Sequence, residues 1–553
     1  MKPWLIIFLA LALAGWSYPT VRQHRLIQVT RQTLARGDAK GTALVLDRLL
    51  ASRWKSPEAL TLIADVAEQN HSPSTLAWRL KAVASDPRPL QPRLDLARSA
   101  LQAGQIALAR QTLLDCSPAE KITAPFHETA GLLSLALHDP AGADFHLAKA
   151  ATLDPTNRVY RMNLHVAALR SPDPARAQQA EATLTALGST YPERRTEAWR
   201  SLITHALETD RLERARDFSA SLLAGREATM PDRVTHLTIL QKLGLTTELE
   251  DALADSRTRA QRDPASVFTL GAWLTAHGRA SHCVDWVHTF PSTLQAESGV
   301  SMALADAQLS LGNWTDLRNT VQAGPWPGAE MIRHALLARA QRALGQPDAS
   351  AASWTAAVQS TDHQREALLA LEEMSRRWAW PKETEDLLAE LVQRYPEDAQ
   401  ARGRLYRIYF SRGDTAGMFR LLDELHARGE ADPAQQNDLA CLSILLSKKL
   451  VRAHQLALRQ FQAHPGNAVF ASTYAYSLHR QGQSAQAIRV METIREAELV
   501  KPPLATYYGI ILAEGGRAGD REKAAEYLRK GESSRLLPEE KIRQIGALRA
   551  IGQ

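Results

Sequence analysis

Glycine returns at one phase of a long repeat: Gly37, Gly104, Gly244, Gly278, Gly312, Gly345, Gly413, Gly482 and Gly516. A residue without a side chain takes positive φ at no steric cost, and that conformation ends a helix. A period of about 34 residues kept over most of a chain belongs to stacked supersecondary units, each burying its apolar face only against its neighbours. This constraint changes what 553 residues imply. A compact chain of that length would be several domains, whereas a stack can run on as one array.

One unit shows the pattern most clearly. In Gly131 to Pro155, GLLSLALHDPAGADFHLAKAATLDP, two helical patterns flank a break at His138-Asp139-Pro140. With Gly131 set as position 8, the small residues Ala143 and Ala150 fall at positions 20 and 27, and Pro155 at position 32. Small residues let two helix backbones approach, Phe145 and Leu147 fill the space between, and proline cannot continue a helix. Steps of 34 or 35 carry position 8 from Ala338 to Glu372, Tyr406, Ala440, Ala475 and Gly509. Backwards from Gly131 it reaches Ala97 and Ile63, and forwards His165. A step of 38, through Ser171-Pro172-Asp173-Pro174, leads to Ile203, then Leu237, Gly271 and Ala305. A weaker unit with Val29 or Thr30 at position 8 opens the array. Proline recurs at position 32 as Pro87, Pro155 and Pro396.

This register resembles the tetratricopeptide repeat (TPR). Glu372 and Tyr406 depart from it, standing where the family has a small residue. The resemblance implies an all-α fold: an α-solenoid of about 15 helix-turn-helix units over residues 22–535, wound as a right-handed superhelix and preceded by an N-terminal hydrophobic helix. The expected divisions are 1–20, an anchor or signal; 21–195, repeats with one insertion at 171–195, read as a longer loop or else a hinge between two sub-arrays; 196–330, degenerate repeats; 331–535, the most regular repeats; and 536–553, a capping helix.

Composition agrees with close-packed hairpins. Aromatic residues are 6% and charged residues 23%, and no run alternates β-branched residues as a strand would. The net charge of +6 is spread along the chain rather than gathered in a patch, so nucleic acid is not an expected partner. Cys116, Cys283 and Cys441 fall at positions 27, 20 and 9, the first two being small-residue packing sites, and no CxxC pair is present.

Residues 1–19, MKPWLIIFLALALAGWSYP, place about 15 apolar residues between Trp4 and the pair Trp16 and Tyr18. Read as an anchor, the segment is short against the roughly 20 residues of a spanning helix, but it carries aromatics at both interfaces. Read as a secretory signal, it offers Ala12-Leu13-Ala14 for cleavage. The anchor reading gives a single-pass protein of a bacterial inner membrane; cleavage would give a periplasmic one. Arg22, His24, Arg25 and Arg31 outnumber Lys2, which leaves the side of the repeats open between the charge rule and signal-anchor behaviour.

No motif carries chemistry. His277, His282, Cys283 and His288 lack the three- or four-residue spacing that would put ligands on one helix face. Gly515-Gly516-Arg517-Ala518-Gly519 follows a helix, not the strand a phosphate loop requires. GxSxG, HExxH and GxxxxGK[ST] are absent, and the repeats claim every long stretch. The expectation is therefore a non-enzymatic protein–protein scaffold, without cofactor, metal or small-molecule substrate, tethered to the membrane and supporting an envelope or export complex. The alternative is a regulatory subunit of an envelope enzyme. In the family, positions 2, 5, 9, 12 and 13 face the binding groove. Carried onto the regular units, these and their neighbours are Arg339, Arg342, Glu373, Arg376, Arg377, Arg407, Asn437, Tyr476, His479 and Arg480. Arginine pairs bidentately with carboxylates, so that lining suits an acidic segment of a protein or peptide. No unit pairs Lys at position 5 with Asn at position 9, the family's clamp for chaperone tails.

Overall fold

The computed structural model describes residues 23–552 apart from 34–38, 52–54, 70–71, 73, 516–518 and 534. The apolar segment 1–20 lies outside the described residues, and so do Gly37 and Gly516. Among the described residues all regular structure is helical, and no helix is long and apolar enough to cross a membrane.

The helices come as antiparallel pairs. First helices open at Leu90, Ala124, Arg158 and Pro192, each 34 residues after the last, and in the second half at Arg365, Ala399 and Pro433 with the same step. Local chemistry sets these starts. Asp139 caps Pro140–Leu153 by accepting from the Gly142 amide at 3.0 Å, and Asp263 and Asp398 cap their helices in the same way. Asp432 and Gln435 form a reciprocal capping box ahead of Pro433–Leu445. Proline stands at the first helical position of many helices, where its missing amide costs nothing.

The turn between paired helices is left-handed. Gly104, Gly244, Gly278, Gly312, Gly345, Gly413 and Gly482 have φ between 70° and 79°. The same turn holds His138, Asp210, Ala379 and Ser447 at φ between 53° and 57°, at the phase where those units lack glycine. The turn geometry thus belongs to the hairpin, and glycine is only its cheapest occupant.

Close approach is enforced at position 8. A Cβ on Gly131 would lie 2.6 Å from Leu147 Cγ, and one on Gly271 would lie 3.2 Å from Cys283 Sγ. Cys116 and Cys283 are buried, in the place of small packing groups. On Gly509 a Cβ would meet Leu528 Cγ at 2.7 Å and its backbone nitrogen at 2.9 Å, and a backbone atom cannot swing aside. Gly509→Val is expected to cost about 2 kcal/mol by overpacking. Gly546→Ala, with nothing within 4 Å, should gain roughly 0.5–1 kcal/mol from helix propensity. Urea midpoints of the two variants check this; equal midpoints would mean that the position-8 contact is slack.

The expected longer loop at 171–195 is corrected. The extra residues enter helices: Pro174–Thr190 and Pro192–Glu208 each have 17 residues. Asp173 caps the first, and nothing in Ala175 to Thr190 breaks it before Tyr191-Pro192. Gly188 is retained inside because the Trp199 ring lies where its Cβ would be, at 3.0 Å.

Contacts divide the chain into two compact units, up to Ala303 and from Leu304. In the first, buried clusters repeat hairpin by hairpin, as with Leu94, Ala97, Ala109 and Leu113, or Leu184, Trp199, Leu202 and Phe218. In the second, one cluster is built around Trp354, Trp380, Leu387 and Leu405, and a larger one runs from Met418 to Ala547.

Candidate functional site

The tryptophans of the second unit are bunched. All five of them, out of the chain's 12, lie between 314 and 380. Trp314 opens helix Trp314–Gln322, Trp354 sits on Pro347–Gln359, and Trp378 and Trp380 flank the left-handed turn at Ala379. Trp354, Trp378 and Trp380 meet edge to face, with ring centroids 5.1–6.4 Å apart. Trp326, in the Gly324-Pro325-Trp326-Pro327-Gly328 turn, is 1% exposed and anchors the entry to helix Glu330–Ala343.

That helix sends two arginines, Arg339 and Arg342, among these rings. The Arg342 guanidinium lies 3.5 Å over the Trp380 ring and pairs with Glu383. Burial alone would raise the Glu383 carboxyl. The hydrogen bond from Arg342, a backbone hydrogen bond and the Arg342 charge outweigh it and hold Glu383 below the usual carboxylate range. Arg342 is thus satisfied internally.

Arg339 is not. Its guanidinium carbon lies 5.2 Å from the Trp314 centroid and 5.9 Å from those of Trp378 and Trp380. Its Nε is buried and finds no acceptor, and among the described residues no carboxylate stands within ion-pair distance. Burial, and then the neighbouring charge of Arg342, pull its pKa below the ordinary arginine value, although guanidinium stays protonated. Ring faces stabilise a cation but accept no in-plane hydrogen bond from the fork. The Arg339 fork is thus left with an unsatisfied donor.

The other predicted groove residues fall into separate groups. Glu373, Arg376 and Arg377 satisfy one another along a single helix: Arg376 pairs with Glu373, and Arg377 Nε donates to Glu373 Oε1 at 2.7 Å. Arg407 is exposed. The expectation that Tyr476 presents a flat surface is corrected: it is 1% exposed, tilted against Tyr507 with centroids 4.8 Å apart, and burial pushes its hydroxyl up to about 12. Asn437 is also 1% exposed, and His479 is buried between the Ser484 hydroxyl and the Glu514 carboxylate, at 3.0 Å each. Their side chains pack between hairpins instead of facing a ligand. Arg480 is half-buried, with an unpartnered Nε. Of the ten, the structure brings Arg339 and Arg342 together in one aromatic site. The position rule missed that site's tryptophans, although their bunching was visible. Among the described residues no group of three metal-ligating side chains stands together.

No protein-family model matches the chain, and no curated protein is similar to it. Among solved structures, that of the APC/C hetero-tetramer Cut9–Hcn1 aligns over 95% of this chain and 99% of the other, at 11% identity and a TM-score of 0.26. A score that low carries no argument, so the helical-repeat reading stands on the hairpin spacing, the left-handed turns and the position-8 contacts.

Proposed function

We propose that this chain is a non-enzymatic, TPR-like scaffold of some fifteen hairpins that captures an acidic segment of a protein partner, with Arg339 as the reading group. The supporting observation is the half-buried Arg339 guanidinium, set among three tryptophans and without an ion-paired carboxylate among the described residues. The rings exclude water and preorganise the fork, so an incoming Asp or Glu meets a donor already desolvated. Arg376 and Arg377 share the one Glu373 carboxylate and contribute less. Residues 1–20 serve as the membrane tether in this reading, on the strength of their apolar and aromatic composition alone, and place the scaffold at a bacterial envelope.

The test is capture of a stoichiometric partner from detergent-solubilised membranes. Arg339→Gln is expected to lower capture at least ten-fold, about 1.4 kcal/mol, and to flatten its salt dependence. Arg376→Gln should change it less than two-fold. Undiminished capture by Arg339→Gln would move the site elsewhere, and turnover by the purified protein alone would end the scaffold reading.

A further inference from the structure

The last helix does more than close the stack. Pro538–Ala550 packs on the final hairpin, but its leading end also touches residues made 124 positions earlier. Glu539 accepts from the Thr415 hydroxyl. Arg535 donates to the Ser411 carbonyl at 2.8 Å and lies over the Phe410 ring. Pro538 fits against Gly413 so closely that a Cβ there would come within 3.0 Å of Pro538 Cδ. Glu540 accepts from the Tyr507 hydroxyl, whose oxygen is 3.3 Å from Cys441 Sγ, and also from the Leu537 amide at 2.7 Å. Leu537 and Ala547 are buried, at 7% and 0% exposure.

These contacts have the character of a ligand in a receptor. The tail meets two separate hairpins, through the Phe410 to Thr415 turn and through Tyr507, whose hydroxyl also touches Cys441. Its acidic pair is read by two hydroxyls of the groove, Thr415 on Glu539 and Tyr507 on Glu540, while the Leu537 amide caps the tail helix from within; no cation pairs with either carboxylate among the described residues. The segment joining it to the last hairpin, from Gly531 to Leu537, holds no helix among its described residues. Its outer face exposes Ile542 and Ile545, at 69% and 49%.

We propose that the row of first helices between Ala399 and Glu514 is a helix-binding groove whose resident ligand is the chain's own segment Arg535–Ala550. A partner helix led by an apolar residue, a proline and an acidic pair displaces it. The groove is distinct from the Arg339 site, and it stands or falls independently of the reading given to that site.

The test uses the full chain and a labelled synthetic peptide of residues 535–552. In the variant Pro538→Gly/Glu539→Ala/Glu540→Ala, amide exchange in the tail should quicken at least ten-fold while the hairpins from 399 to 514 keep their protection. That variant should bind the peptide at least ten-fold more tightly than the unmodified chain does, and a peptide carrying Glu539→Ala/Glu540→Ala should lose the gain. A second variant, Thr415→Val/Tyr507→Phe, removes the groove's donors instead: its tail should also exchange faster, but it should bind the peptide no better than the unmodified chain. Loosening of the hairpins together with the tail would make the tail part of the core and overturn the proposal. So would a freed tail whose groove still refuses the peptide, or equal binding by all chains.

Discussion

Trp380→Ala is expected to destabilise the unit from Leu304 by about 3–5 kcal/mol, the usual range for emptying a large aromatic site. Trp380 is 3% exposed and meets Trp354 at 5.3 Å and Trp378 at 5.1 Å between centroids. Its removal leaves a cavity between two hairpins and strips the ring face from Arg342, 3.5 Å above it. The surrounding helices cannot collapse into the space without moving Trp378, which the same turn carries. Trp380→Phe keeps the edge-to-face partner and should recover more than half of the loss. Denaturant titration with paired far-ultraviolet and tryptophan signals reads both variants. A loss below about 1 kcal/mol in the alanine variant would show that the tryptophan cluster is surface decoration.

Arg404→Met is expected to cost about 3 kcal/mol. Arg404 Nη1 donates to Glu372 Oε2 at 2.6 Å, and the Glu372 side chain is 1% exposed with its second oxygen unpartnered. Removing the arginine strands a carboxylate between two first helices. Breaking a buried pair on one side is far more damaging than replacing both members. The double variant Glu372→Leu/Arg404→Met should therefore regain most of the loss. The cycle separates the pair from mere packing: additive single losses of similar size would show that the ion pair matters little.

Much of the architecture was readable from residue spacing, because the same physical demand recurs in each hairpin. A left-handed turn selects glycine, and a close crossing selects a small residue, as at Gly131 and Gly509. Where the demand could be met otherwise, the pattern faded: His138 and Ala379 take the left-handed turn without being glycine. Glu372 and Tyr406 looked like failures of the register, yet their space holds polar links to the next hairpin, Glu372 to Arg404 and Tyr406 to Asp438 at 3.4 Å. The site was less legible. A position rule knows which residue points along a face, but not whether a neighbour already covers or neutralises it. Tyr476 and Asn437 were lost to packing, and Arg376 and Arg377 to Glu373. Arg339 stands out only once Trp314, Trp378 and Trp380, spread over 67 residues of sequence, are seen around it. The contact of Glu539 with Thr415 has no local signature at all.

That contact also orders events in time. Hairpin contacts join residues within about one repeat, so each hairpin can form as soon as its second helix leaves the ribosome. The face between Phe410 and Tyr507 is different, since the segment that covers its Ser411 to Thr415 turn is made 124 residues later. While the chain is being synthesised, that face stands open to the cell's other helices. The newborn protein therefore passes through a receptive interval that ends only when Leu537 to Ala550 has emerged and docked.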